Sequence, residues 1–161
     1  MVKRYLSIYP KNYFNIVLIE PDIPQNTGNI GRTCVGSWSK LHLVGPLGFS
    51  IDDKQLKRAG LDYWTELDWQ FYENYEQWWQ QVSDPSRVFY FTTKSNQSFY
   101  EIKIKQGDWF VFGKETKGLD EQLLKKNWDQ TVTLPFPGKI RSFNLANAVA
   151  MAIGEGLRQL R

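Results

Sequence analysis

The apolar residues of this chain gather in five short runs, at 15–19, 41–44, 88–91, 109–112 and 131–134. A strand with one wet face alternates apolar and polar positions. Runs that stay apolar nearly throughout predict strands buried on both faces, as in a parallel sheet. Helices are predicted between them at 28–37, 52–59, 75–82 and 120–126. The longest predicted helix, 144–160, carries Leu145, Ala148, Val149, Ala152, Ile153, Gly156 and Leu157 at helical spacing. Strands and helices in alternation predict an α/β fold, a doubly wound, Rossmann-like parallel sheet. No repeat, linker or low-complexity tract interrupts the pattern, so a single domain at 15–161 is expected, preceded by an extension at 1–14.

In such sheets ligands bind beyond the carboxyl ends of the strands. Thr92-Thr93-Lys94, Gly113-Lys114-Glu115 and Pro135-Phe136-Pro137 all fall there, so three loops are expected to converge on one crevice. The loop at 135–143 is basic and bounded by Pro and Gly. It leads Ser142 and Asn144 into the last helix, with Arg141 before them and Asn147 one turn on. Ser or Asn at a helix start caps free N–H groups, so Ser142 and Asn144 read either as caps or as ligand contacts.

Composition narrows the chemistry. The chain has 161 residues and a net charge of +3, unevenly spread. Residues 59–86 contain no Lys or Arg and six acids, leaving 20 basic against 11 acidic residues elsewhere. A basic body with one acidic segment suits a polyanion that touches one side. One Cys (Cys34) and one His (His42) argue against an internal disulfide, a zinc site and Cys–His nucleophilic catalysis; both residues are expected to be structural, and no metal is expected. No apolar run approaches the ~18 residues of a membrane span. The basic, aromatic extension has no apolar core of a secretory signal. A cytoplasmic protein is expected. Of the seven tryptophans, Trp78 and Trp79 lie in the acidic segment, which favours packing over base stacking.

Two further segments bear on the site. Residues 113–119, Gly-Lys-Glu-Thr-Lys-Gly-Leu, have the glycine spacing of a Walker A loop, but Leu119 stands where Lys-Ser/Thr would follow. No Gly-x-Gly-x-x-Gly follows the first strand, which argues against a dinucleotide. In Pro24-Gln25-Asn26-Thr27-Gly28-Asn29-Ile30-Gly31-Arg32, Arg32 follows Asn26 and Asn29 on a helix expected to open at Gly28, just after Asn26.

These segments, with 138–149, occur in the order that resembles the signature motifs of the SpoU/TrmH branch of SPOUT RNA ribose 2'-O-methyltransferases. The short chain is similar to the minimal wobble-nucleotide tRNA enzymes of that branch. The resemblance runs from Asn15 to Leu160. It implies a C-terminal trefoil knot, which patterning alone would not suggest. It also implies S-adenosylmethionine as methyl donor, with Phe91, Thr92, Gly113, Glu115, Leu134, Ser142 and Asn147 at the cofactor. Arg32, Asn26, Ser142 and Asn144 are implied in catalysis, and a tRNA substrate is implied, at cytidine or uridine 34 of leucine tRNAs. The same chemistry on another tRNA position or on ribosomal RNA, or a non-catalytic RNA-binding role, are the alternatives. A homodimer through the first and last helices is implied, so that Arg32 reaches the partner's cofactor; Gly154 departs from the family by replacing an interface tyrosine. Arginine is essentially never deprotonated. Arg32 therefore either orients the ribose while a phosphate oxygen or water takes the proton, or sits in a site that perturbs it. Lys54, Lys57, Arg58, Lys94, Lys139 and Arg141 are the expected phosphate contacts.

Overall fold

The computed structural model describes residues 12–52, 54, 58 and 63–160. Six strands form one parallel sheet: β1 (Asn15–Ile19), β2 (Lys40–Val44), β3 (Trp69–Tyr72), β4 (Val88–Phe91), β5 (Trp109–Phe112) and β6 (Thr131–Val132), in the order β3-β2-β1-β5-β4-β6. Four helices are described: α1 (Pro24–Ser37), α2 (Tyr75–Trp79), α3 (Glu121–Lys126) and α4 (Leu145–Gln159).

Successive strand residues point to opposite faces, and the side chains sort accordingly. Ile16, Leu18, Phe89, Phe91, Phe110 and Phe112 pack on one face with Ile30 and Cys34 of α1 and Val149, Ala152 and Ile153 of α4. Val17, Val88, Tyr90, Trp109 and Val111 pack on the other with Trp78 of α2 and Leu124 of α3. Continuous apolar runs are thus explained by a sheet covered on both faces.

Three elements differ from the sequence pattern. α1 begins at Pro24, not Gly28: proline suits the first helical turn because its missing N–H needs no partner there. β3 was not predicted. It is an edge strand whose Gln70 and Phe71 are exposed, so its residues do not form an apolar run. β6 stops at Val132, and Thr133 and Leu134 leave the ladder. The helix predicted at 52–59 lies largely outside the described residues. Tyr13 and Phe14, assigned above to an extension, belong to the core, being 4% and 1% exposed. The Phe14 ring fills the space over Gly156, where an added Cβ would lie 2.5 Å from it. That glycine, with buried Ala152, therefore serves packing inside the chain; Gly154 faces open space.

His42 is buried in β2, its Nε2 3.0 Å from Asn15 Oδ1 and its Nδ1 2.9 Å from the Tyr72 hydroxyl. The Asn15 amide N–H donates to the Gly107 carbonyl, which leaves Oδ1 to accept. His42 therefore carries its proton on Nε2, and Tyr72 donates to Nδ1. Burial, with Lys40 nearby, lowers its pKa from 6.5 to about 3. Between those values the unfolded chain binds a proton that the folded chain does not. The contribution of His42 to stability is therefore complete above pH 6.5 and falls as pH drops toward 3. His42 is the only histidine. We expect unfolding free energy to fall by about 2 kcal/mol between pH 7 and pH 5, and this slope to flatten in His42→Gln. Parallel urea titrations with equal slopes for both proteins would refute it.

Candidate active site

A cavity of about 530 Å³ opens beyond the carboxyl ends of β4, β5 and β6. The three loops expected to converge do meet there: Thr92, Thr93 and Lys94 after β4, Gly113 to Gly118 after β5, and Phe136 with Arg141 to Asn144 from the last loop. Phe91, Phe112, Leu119, Leu124 and Leu134 make its apolar wall. An apolar slot with a few convergent polar groups is the usual make-up of a small-molecule site, and the volume is in the usual range of roughly 300–1,000 Å³.

The loop after β5 is shaped by two glycines with different tasks. A Cβ on Gly113 would lie 2.1 Å from the Gly118 carbonyl carbon and 2.2 Å from the Leu119 nitrogen, so the backbone folds directly against it. Gly118 supplies the left-handed turn, with φ of 70°, and its N–H donates to the Lys114 carbonyl at 2.8 Å. Gly113 is thus required by the chain's own close approach.

Glu115 stands at the centre of the polar side. Its carboxylate accepts from the Asp22 N–H at 2.7 Å, the Ile23 N–H at 3.2 Å and the Asn26 amide at 3.2 Å. It holds the turn into α1, whose N-cap Ile23 has no side chain able to do so. Asn26 Oδ1 accepts from the Asn144 amide at 3.1 Å. Asn144 Oδ1 in turn accepts from the Ala146 and Asn147 N–H groups at 2.9 and 3.4 Å, capping α4. One relay therefore links the three motifs. Beside it, Lys114 pairs with Glu20 at 2.6 Å, and the Thr116 hydroxyl donates to Asp22 at 2.9 Å. These contacts join the loops that follow the paired strands β1 and β5, and the cavity lies over β5, β4 and β6.

The expected residues are placed unequally. Phe91, Thr92, Gly113, Glu115, Leu134, Ser142, Asn26 and Asn144 line the cavity. Ser142 is exposed and lies two positions before the N-cap, so the capping role belongs to Asn144 alone. Asn147 is exposed and does not line the cavity. Nor does Arg32. It lies six residues beyond Asn26, about 240° around α1 and roughly 9 Å along it. Its guanidinium rests on the Tyr63 ring, 4.9 Å from the centroid. Among the described residues it has no carboxylate partner.

The basic residues divide as well. Lys94 is tied to Glu121 at 3.0 Å, and that hydrogen bond holds the Glu121 carboxyl below its usual range. Lys117, Lys139 and Arg141 are exposed and, among the described residues, carry no ion pair. Lys54 and Arg58 are exposed but away from the cavity lining, and Lys57 lies outside the described residues. Sequence reasoning placed Phe136 in a loop at the crevice but gave no role to Lys117 or to the pair Phe136 and Phe143. The last two rings meet edge to face at 4.9 Å and clasp the base of the loop that carries Lys139 and Arg141. Their recurrence on both sides of that loop was a readable signal. Burial pushes the Cys34 thiol up, and neither it nor His42 reaches the cavity. No helix among the described residues is long and apolar enough to cross a membrane.

Loss of the Glu115 carboxylate removes three hydrogen bonds and the anchor of the α1 turn. Glu115→Ala should cost about 1–2 kcal/mol, the scale of a lost helix cap. Guanidinium unfolding midpoints check this, and an unchanged midpoint would remove Glu115 from that role.

Comparison with known proteins identifies the family. The SpoU rRNA Methylase family matches residues 13–154. A tRNA (cytidine(34)-2'-O)-methyltransferase of Burkholderia cenocepacia is 43% identical over 148 residues, covering 91% of this chain and 95% of that protein. A relative of the same name from Saccharophagus degradans is 43% identical over 150 residues, covering 91% and 96%. A structure described as giving insight into 2-OH methylation of C/U34 on tRNA superposes with a TM-score of 0.86 at 41% identity, covering 91% of this chain and 95% of that one. The SpoU methyltransferase AviRb of Streptomyces viridochromogenes, solved with AdoMet, has a TM-score of 0.81 at 19% identity, covering 94% and 59%, and shows the shared fold. With its three motifs gathered on one cavity and the family match spanning residues 13–154, the chain belongs to the SpoU methylase family.

Proposed function

We propose that the protein methylates the ribose 2'-oxygen of the wobble nucleotide, cytidine or uridine 34, of tRNA, with leucine tRNAs as substrates. The observation that carries this reading is the 43% identity, over nine-tenths of both chains, to enzymes named for that reaction. The cavity supports it. Phe91, Leu134 and Phe112 supply an apolar slot for an adenine, and Thr92, Gly113 and Ser142 surround it with polar side chain and main chain. S-adenosylmethionine bound there supplies an electrophilic methyl group and leaves as S-adenosylhomocysteine.

Asn144 and Asn26 hold each other at the rim and orient the ribose. As the new O–CH3 bond forms and the S–CH3 bond breaks, the 2'-hydroxyl proton passes to a phosphate oxygen or water. Arg32 aligns the ribose and stabilises developing charge. An exposed guanidinium on an aromatic face is attracted as a cation, which favours this role over that of a base. Because Arg32 lies round the helix from its own chain's cavity, the reading includes a homodimer in which it serves the partner's. The exposed faces of α1 and α4, and the family's trefoil knot, are part of the same proposal. Lys117, Lys139 and Arg141, which carry no ion pair among the described residues, take substrate phosphates; Lys117 and Arg141 line the cavity. The protein works in the cytoplasm.

The test is transfer of labelled methyl from S-adenosylmethionine to total tRNA lacking this modification, with fragment mass spectrometry. A 2'-O-methyl pyrimidine in an anticodon-loop fragment is expected; label only in ribosomal RNA would reassign the substrate. Arg32→Ala should keep cofactor affinity and lose at least about a hundredfold in turnover, the scale of one charge-stabilising donor; near-normal turnover would exclude Arg32. Ser142→Ala should weaken cofactor binding by about tenfold, the worth of one hydrogen bond of ~1.4 kcal/mol. Calorimetry showing an unchanged dissociation constant would remove Ser142 from the cofactor site.

A further inference from the structure

An arginine that must align a ribose has a long flexible side chain, and Arg32 is exposed with no carboxylate partner among the described residues. Among the described residues the side-chain group that holds it is an aromatic ring, and the residue that carries this ring is anchored through its backbone. Tyr63 opens the turn Trp64–Glu66 and accepts the Glu66 N–H on its carbonyl at 3.0 Å. The turn is seated on α1 at Gly31, the residue before Arg32. A Cβ at Gly31 would lie 3.1 Å from both Leu67 and Trp64, so a side chain there would crowd the turn by a few tenths of an ångström. Trp64 is braced from behind by Trp69, ring centroids 5.3 Å apart, and Leu67 is buried. The Tyr63 backbone is thereby held beside α1, and its ring, 37% exposed, lies 4.9 Å from the Arg32 guanidinium, well inside the roughly 6 Å of an effective cation–π contact.

We propose that Tyr63 is a positioning residue for Arg32, fixing the guanidinium by its ring face so that the N–H edges are presented to substrate. The five donors of a guanidinium lie in its plane. Stacking occupies the flat face and leaves those donors free, whereas a carboxylate partner would consume two of them and offset the charge. An aromatic ring is thus the holder that restrains the side chain without competing with a ribose or phosphate. The inference rests on the reading that Arg32 serves methyl transfer. It assigns Tyr63 no contact with substrate.

The test uses the full chain, S-adenosylmethionine and unmodified tRNA, with Tyr63→Phe, Tyr63→Leu, Arg32→Gln and the double variant Arg32→Gln/Tyr63→Leu. Tyr63→Phe keeps the ring and should stay within about twofold of wild type, while Tyr63→Leu should lower kcat by roughly tenfold with little change in KM for tRNA. In the Arg32→Gln background Tyr63→Leu should cost nothing more, because the ring acts through the guanidinium. The Arg32 Nε–H resonance of labelled protein supplies a readout that does not depend on turnover: a ring-current shift in wild type and Tyr63→Phe, lost in Tyr63→Leu, at equal thermal midpoints. An equal loss from Tyr63→Leu with and without Arg32, an effect on KM alone, or an unmoved Arg32 resonance would overturn the proposal. Absence of methyl transfer by the wild type, or full activity of Arg32→Gln, would instead strike the functional reading on which it rests.

Discussion

The site depends on one carboxylate. Glu115 joins the turn before α1 to the loop after β5 across 89 residues of chain, and through Asn26 the link continues a further 118 residues to Asn144 at the head of α4. Each bond is short-range, yet together they fix how three loops face one cavity. Without Glu115 two backbone N–H groups and an amide would have to find other partners at the edge of a partly buried site, where unpaired polar groups are costly. The relay also explains why asparagine is used twice. An amide both donates and accepts, so it can pass a hydrogen bond onward, which a carboxylate cannot.

Beneath that relay the sheet supplies rigidity. Its phenylalanine-rich face, Phe89, Phe91, Phe110 and Phe112, packs α1 and α4, and the same face ends in the apolar wall of the cavity. Phe91 and Phe112 stack at 4.3 Å, so core and site share side chains. At the far end of β5 the buried Asp108 receives a bidentate guanidinium from Arg87. That pair ties β4 to β5 below the cavity. The binding loops thus stand on strands fixed at both ends, the arrangement expected of sites that need placement to within a fraction of an ångström.

Charge is arranged on the same plan. The segment without Lys or Arg builds β3 and α2, with β3 at the sheet edge away from β4 and β6. Lys117 and Arg141 line the cavity over β5, β4 and β6, and Lys139 is exposed in the same loop as Arg141. Within the acidic segment, Trp78 is fully buried and meets Trp109 edge to face at 5.8 Å, which is core packing.

Strand positions β1, β4 and β5 were legible in the sequence because a strand covered on both faces is apolar at nearly every position, and these runs are short and rich in β-branched and aromatic residues. The convergence of three loops followed from parallel topology, and the ordered motifs were legible because each is a local string of residues. The edge strand β3 escaped because half of it is wet, and the start of α1 because a proline looks like a break although it fits a first turn. Only tertiary structure could decide the roles within the motifs. Gly113 is demanded by the backbone at Gly118 and Leu119, Asn144 and not Ser142 caps the last helix, Lys94 is partly spent on Glu121, and Arg32 rests on Tyr63. The physical reason is common to all four. Local sequence sets what a residue can do, whereas the partner it takes, be it Ala146 two positions beyond Asn144 or Glu121 27 beyond Lys94, is chosen by how the chain packs.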